Sequence, residues 1–248
     1  MLLRGRPAWL SVLDYGLFRV HAGPRDIGIM GAAIGTDAGE VVLVDTGFPA
    51  KYARDPVAAA AEDRLGSFGT VLCCTPRNLP AAQLALLGLK PADVTVMVQT
   101  HTHIDHIGGI AEFPQAVAVI AAAERALPRP RYWTGGQPPE WPDRAWHLVE
   151  DDGDLGPGLR LLLVPGHAAG QLALLAELPQ SGPVLWTSDA ISRPAEIDEG
   201  FATADDPPAA RSSAARLMAL ARDRGARVVW GHDPAQWSAL PKAPRRWC

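Results

Sequence analysis

The stretch His101-Thr102-His103-Ile104-Asp105-His106 decides how this chain is read. It places four potential metal ligands within six residues, and three of the chain's seven histidines fall inside it. His101 and His103 alternate, so an extended or turning backbone can aim both imidazoles at one ion. Asp105 and His106 lie about one turn further on and can reach a second ion close to the first. Imidazole with carboxylate is the ligand set of zinc and similar divalent cations. The apolar run at 94–99 that leads into the stretch is expected to be a strand, and Gly108 and Gly109 after it suit a close turn.

Three later apolar runs each end on a further residue able to bind a metal. His167 closes Val164-Pro165-Gly166-His167, Asp189 closes Leu185-Trp186-Thr187-Ser188-Asp189, and His232 follows Val228-Val229-Trp230-Gly231. Strand ends followed by loops are where rigid scaffolds place chemistry. Each taken alone reads as an ordinary loop histidine or turn aspartate. Together with the cluster they make a set of metal-ligand candidates: His101, His103, Asp105, His106, His167, Asp189 and His232.

These motifs, with Leu43-Val44-Asp45-Thr46-Gly47 near the start, Thr187-Ser188-Asp189-Ala190, and the closing Gly231-His232-Asp233, resemble the metallo-β-lactamase superfamily over nearly the whole chain. Their order and spacing, and the His-Asp pair near the C-terminus, resemble the N-acyl homoserine lactonases and related small-lactone hydrolases such as 4-pyridoxolactonase. The resemblance implies an α/β fold, a four-layer αββα sandwich, with residues 1–248 as one domain and the site at one edge. It implies two divalent metal ions, zinc being the default. His101, His103 and His167 would hold the first, Asp105, His106 and His232 the second, and Asp189 would bridge them. A negative bridge offsets the repulsion between two dications, and three protein ligands per ion leave a position open for substrate.

The implied activity is hydrolytic opening of a lactone ring, with N-acyl homoserine lactone as first choice, which is quorum quenching. Asp105 is the expected catalytic proton carrier. Asp45 either orients a ligand histidine or caps its own turn. One position departs from the pattern. The homoserine lactonases commonly carry a substrate-binding Tyr three residues after the bridging Asp, and this chain has Ser192 there. A shorter hydroxyl cannot reach the same point, so another donor, a water or a different substrate is implied. Glyoxalase II-like thioesterases share the cluster and the bridging Asp, which keeps another lactone, ester or thioester as the alternative. True β-lactamases normally lack the bridging carboxylate, and flavodiiron proteins usually carry a carboxylate where His103 stands.

Bulk properties exclude other classes. At 248 residues, 48% apolar and 20% charged, the chain can build a sizeable core. A net charge of -4 disfavours a nucleic-acid-binding surface. No long apolar run suggests a membrane span, and the N-terminus lacks a signal-peptide pattern, so a cytoplasmic location is expected. The partner expected is a small-molecule substrate, with no nucleic acid and no membrane. Cys73, Cys74 and Cys248 are odd in number and form no disulfide framework.

Apolar patterning predicts strands at 17–22, 27–34, 40–45, 117–120, 159–164, 172–178, 184–187 and 227–230. It predicts helices at 79–87, 121–127 and 207–224, and a helical stretch at 50–65 broken by Pro56. Residues 128–142 hold five Pro and two Gly. With Tyr132, Trp133, Trp141 and Trp146, the segment 128–146 reads as an ordered insertion or lid rather than a linker. Its tryptophans could wall an apolar acyl pocket or simply pack.

Overall fold

The computed structural model describes residues 1–132 and 138–248; Trp133 lies outside the described residues. Two sheets form. The first contains β1 (Pro7–Val20), β2 (Arg25–Thr36), β3 (Val41–Val44), β4 (Gly69–Cys73), β5 (Val96–Val98), β6 (Val117–Ala121) and β7 (Trp146–Val149), ordered β4-β1-β2-β3-β5-β6-β7. The second contains β8 (Gly153–Gly156), β9 (Leu159–Leu163), β10 (Leu172–Leu178), β11 (Gly182–Ser188) and β12 (Arg227–Trp230), ordered β12-β11-β10-β9-β8. The helices are α1 (Pro56–Glu62), α2 (Pro80–Leu86), α3 (Ile104–Ile107), α4 (Ala122–Arg125), α5 (Ala195–Glu199), α6 (Pro207–Arg224) and α7 (Pro234–Ala239).

Period-two alternation sorts the side chains into layers. Val42, Val44, Val96 and Val98 of the first sheet meet Leu161, Leu174, Val184 and Trp186 of the second in one buried core between the sheets. The intervening Leu43 and Met97 face outward, where they join Ala59 of α1, Leu84 of α2 and Ile107 of α3. Leu185 and Ala173 face the other way and pack with Ala210, Ala214 and Leu217 of α6. Helix, sheet, sheet, helix is the αββα order that the resemblance implies.

All the predicted strands are present at least in part, but several elements escape the sequence. β1 starts at Pro7, well before residue 17. Leu10 and Val12 face the inter-sheet core while Leu13 and Tyr15 face the outer one, so this half is apolar on both sides and does not alternate. A bulge between Asp14 and Gly16 then reverses the parity, and Phe18 and Val20 join the outer core. Pro56 does not break a helix but starts one. It is the first residue of α1, and the Asp55 carboxylate caps that end by accepting from the N–H groups of Val57 and Ala58 at 3.1 and 2.9 Å.

The topology also gathers the site. β9, β11 and β12 run the same way, because each is antiparallel or parallel to its neighbour in the required sense. His167, Asp189 and His232 therefore emerge at one end of the second sheet, opposite the loop that follows β5. Among the described residues no helix is long and apolar enough to cross a membrane.

Candidate metal centre

The seven predicted residues converge in two groups, His101 with His103, His167 and Asp189, and Asp105 with His106 and His232. α3 is a single turn that begins just after His103, so His103 stays extended while Asp105 and His106 swing onto the next face. Gly166 brings His167 in. Its φ is +143°, and a Cβ there would lie 2.3 Å from the Ala210 Cα at the start of α6. Ser188, just before Asp189, holds a φ of 46° without being glycine, which is local strain at the end of β11.

Asp189 stands between the groups. Its Oδ2 lies 3.4 Å from His167 Nε2 and 4.0 Å from His101 Nε2. Its Oδ1 lies 3.1 Å from His232 Nε2 and 3.4 Å from His106 Nε2. Asp105 Oδ2 lies 3.5 Å from His232 Nε2 and 3.6 Å from His106 Nε2. His103 Nδ1 and His167 Nε2 are 3.0 Å apart. Ligands about 2.0–2.1 Å from a tetrahedral ion stand roughly 3.3 Å from one another. The spacings match donors that share a cation better than donors that bond each other.

The outer ring nitrogens are anchored, which leaves the inner ones free. His106 Nδ1 is 2.8 Å from Asp45 Oδ2, His232 Nδ1 is 2.9 Å from the Gly28 carbonyl oxygen, and His101 Nδ1 is 3.2 Å from Thr100 Oγ1. An Nδ1–H donating to a carboxylate or carbonyl fixes the tautomer whose Nε2 lone pair points inward. The buried Nε2 atoms of His101 and His106 have no hydrogen-bond partner among the described residues, the condition a metal ion would relieve. The donor set therefore fits two divalent ions.

Asp45 is fully buried at a φ of 59°. Its Oδ1 accepts from Thr100 N at 2.8 Å and its Oδ2 from Thr100 Oγ1 at 2.9 Å, besides contacting His106. Asp45 thus contacts a candidate ligand histidine and the residue before the cluster. Asp233, beside His232, caps α7 by accepting from Gln236 N at 3.0 Å.

Charge divides the site. Burial and the neighbouring imidazole of His106 push His101 well below the ordinary histidine range, and burial with His167 does the same to His103. Both are held neutral, the form that binds metal. Burial alone would lower His106 and His232 too, but carboxylates prevail. Asp105, Asp189 and Asp45 raise His106 to about 10, and Asp189 and Asp105 raise His232 to about 9. Burial would push the Asp189 carboxyl up, yet His232, His106 and His167 hold it well below its usual value. A field that binds a proton so firmly attracts a dication more strongly still.

The centre opens into a cavity of about 420 Å³. Asp105 and His167 line it, whereas His101 and His106 are buried and do not. One wall is apolar: Phe18, Val20, Ile27, Phe48, Leu65 and Phe68, with Phe18 stacked on Phe68 at 5.8 Å. The rest of the lining is more polar and includes Ser192, Arg193 and Glu196. Ser192 is buried; its N–H donates to Glu196 Oε2 at 2.8 Å, and its carbonyl accepts from His232 N at 2.7 Å. Arg131 and Tyr132 bring the start of segment 128–146 to the cavity. Trp141 and Trp146 do not line it. They pair edge-on at 5.4 Å under the Arg125 guanidinium, so they pack rather than wall a pocket.

One buried group had no signal in the sequence. Glu124, on α4, accepts from Thr102 and from Gly170, and nothing in its local pattern sets it apart from a surface helix residue.

Fold and site together define a metal-binding α/β hydrolase scaffold, and comparison with known families agrees. The chain belongs to the metallo-beta-lactamase superfamily, whose family description matches residues 33–232. Among its relatives, an N-acyl homoserine lactonase AttM of Azorhizobium caulinodans is 37% identical over 180 residues, 66% of this chain and 67% of the relative. An N-acyl homoserine lactonase of Bacillus thuringiensis is 30% identical over 203 residues, 79% of this chain and 77% of the relative. A solved N-acyl homoserine lactone hydrolase, with the product N-hexanoyl-L-homoserine bound at its catalytic metal centre, superposes with a TM-score of 0.85 at 24% identity, covering 98% of this chain and all of that one (100%).

Proposed function

We propose that this protein is a dinuclear metal hydrolase that opens the lactone ring of N-acyl homoserine lactones, with zinc as the default metal. One observation carries the reading: the two oxygens of Asp189 each face a different histidine group. Two divalent cations, when bound, supply the Lewis acidity and the hydroxide available near neutral pH that lactone hydrolysis requires. His101, His103 and His167 would hold one, Asp105, His106 and His232 the other, with Asp189 spanning both.

The chain's own groups supply the rest. Asp105 sits at the cavity side of the centre, where its carboxylate can take the proton from the attacking water and return it to the departing ring oxygen. The apolar wall suits an acyl chain, and each methylene buried there would add about 0.8 kcal/mol of binding until the wall is covered. The polar part of the lining would meet the amide and the ring. Ser192, too short to replace a tyrosine, leaves that part to its neighbours.

The test is a substrate panel for the metal-loaded protein: short- and long-chain acyl homoserine lactones, simple γ-lactones, an aryl ester and a glutathione thioester. The reading expects the highest kcat/KM on acyl homoserine lactones, rising with chain length. A thioester turned over faster than every lactone would transfer the reading to the glyoxalase II-like alternative.

A further inference from the structure

We propose that Glu124 is a positioning residue that sets the first metal group by fastening together the two loops that carry its histidines. This rests on the dinuclear reading above. His101 and His103 come from the loop after β5, and His167 comes from the loop after β9. These loops belong to different sheets, and among the described residues the backbone bond that joins them directly is the one from Leu172 N to the Thr100 carbonyl at 2.8 Å, at the outer end of both loops.

Glu124 spans the gap with one oxygen for each loop. Its Oε2 accepts from Thr102 N at 3.1 Å and Thr102 Oγ1 at 2.6 Å, and Thr102 lies between the two ligand histidines. Its Oε1 accepts from Gly170 N at 3.2 Å, three residues past His167. The approach leaves no room for a side chain. A Cβ on Gly170 would lie 2.7 Å from both Ala121 Cβ and Glu124 Cγ.

The same Thr102 holds the cavity-lining segment. Its Oγ1 accepts from Arg131 N at 3.0 Å and its carbonyl from Tyr132 N at 2.8 Å. Glu124 is only 1% exposed, and no cation pairs with it among the described residues. A buried carboxylate without a counter-charge is a poor way to stabilise a fold, because the desolvation cost is large. Charge-assisted hydrogen bonds are shorter and stiffer than neutral ones. The return is a fixed separation of the two loops, and therefore of His103 and His167.

The experiment measures metal affinity in the full-length protein, not only turnover. Glu124→Gln keeps the shape but has one carbonyl oxygen, so it can serve only one loop while its NH2 group faces a donor of the other. Chelator-competition titrations with Zn²⁺ or Co²⁺ would compare the variant with the parent. The Co²⁺ absorption of each group would be assigned with His167→Ala and His232→Ala. The expected result is about a tenfold to hundredfold weaker first group, the scale for loss of a ligand's supporting partner, with the second group changed by no more than a few-fold. Thr102→Val removes only the hydroxyl and should weaken the same group by less.

Unchanged affinity at both groups in Glu124→Gln, or equal weakening of both, would overturn the proposal. So would a lower melting temperature with parental metal affinity. If Glu124→Gln does not fold, Thr102→Val decides: parental affinity at the first group overturns it. A parent chain that binds fewer than two ions would instead remove the dinuclear reading, and this inference with it.

Discussion

Asp45→Asn tests whether the outer partner of a ligand histidine governs the metal it holds. The substitution suits the backbone, since asparagine tolerates the left-handed φ of 59° that Asp45 adopts. The side-chain change is therefore isolated. Asp45 accepts from Thr100 N at 2.8 Å, Thr100 Oγ1 at 2.9 Å and His106 Nδ1 at 2.8 Å. An asparagine offers one acceptor oxygen and one NH2 group. If its oxygen meets Thr100 N, the NH2 group meets His106 Nδ1. The ring must then suffer a donor–donor contact or move its proton to Nε2, which removes the lone pair needed for metal. The reverse orientation sets the NH2 group against Thr100 N–H. Either way a buried donor goes unsatisfied at about 1–3 kcal/mol.

The expected effect is a loss of about tenfold to hundredfold in affinity at the group formed by Asp105, His106 and His232. The other group should change by only a few-fold, because His101 meets Asp45 only indirectly, through the Thr100 hydroxyl. Chelator-competition titration of the folded variant measures both. A folded variant that binds both ions with parental affinity would refute the reasoning and return Asp45 to the role of turn former.

Three further perturbations test separate parts of the account. Asp189→Ala removes the negative group between the clusters, and the rate should fall at least about a hundredfold with one ion lost; full activity with two ions would show that Asp189 does not bridge. Ser192→Ala should change kcat/KM by only a few-fold, under about 1 kcal/mol, while Ser192→Tyr should help acyl homoserine lactones more than lactones without an amide; a hundredfold loss in the alanine variant with metals intact would contradict this. Burial alone would raise the Glu40 carboxyl, but the N–H groups of Gly5 and Arg4 and the Thr36 hydroxyl hold it below its ordinary value. Its stabilising effect is thus present above the unfolded-state pKa and lost as pH falls through the lower folded-state one, so Glu40→Gln should destabilise the chain at neutral pH and progressively less in acid, as chemical denaturation across that window would show.

The candidate metal ligands were legible because they follow the ends of apolar strands, four in one cluster after β5 and one each after β9, β11 and β12, so a one-dimensional pattern marked a three-dimensional edge. The central strands were legible for the same reason: Val42, Val44, Val96 and Val98 are buried valines in short runs. What the sequence concealed depends on partners far along the chain. β7 and β8 are short strands with half-exposed, weakly apolar residues, and they exist because a neighbouring strand offers hydrogen bonds. The second half of β1 is offset by a bulge that no local pattern announces. Glu124 looks like any acidic residue on a short helix until Thr102 and Gly170 arrive from two different loops. Trp141 and Trp146 take the packing role that the sequence left open beside a pocket role, and the apolar lining of the cavity comes instead from Phe18, Phe48, Leu65 and Phe68, in separate segments of the first half.

The central claim is that seven residues hold two ions across one carboxylate, and metal content measured against activity tests it most directly. Protein purified and loaded with Zn²⁺ should carry about two ions per chain by elemental analysis. Hydrolysis of an acyl homoserine lactone should vanish when a chelator strips both and return as the second equivalent is restored. A fully active protein that reproducibly holds a single ion, or none, would contradict the account.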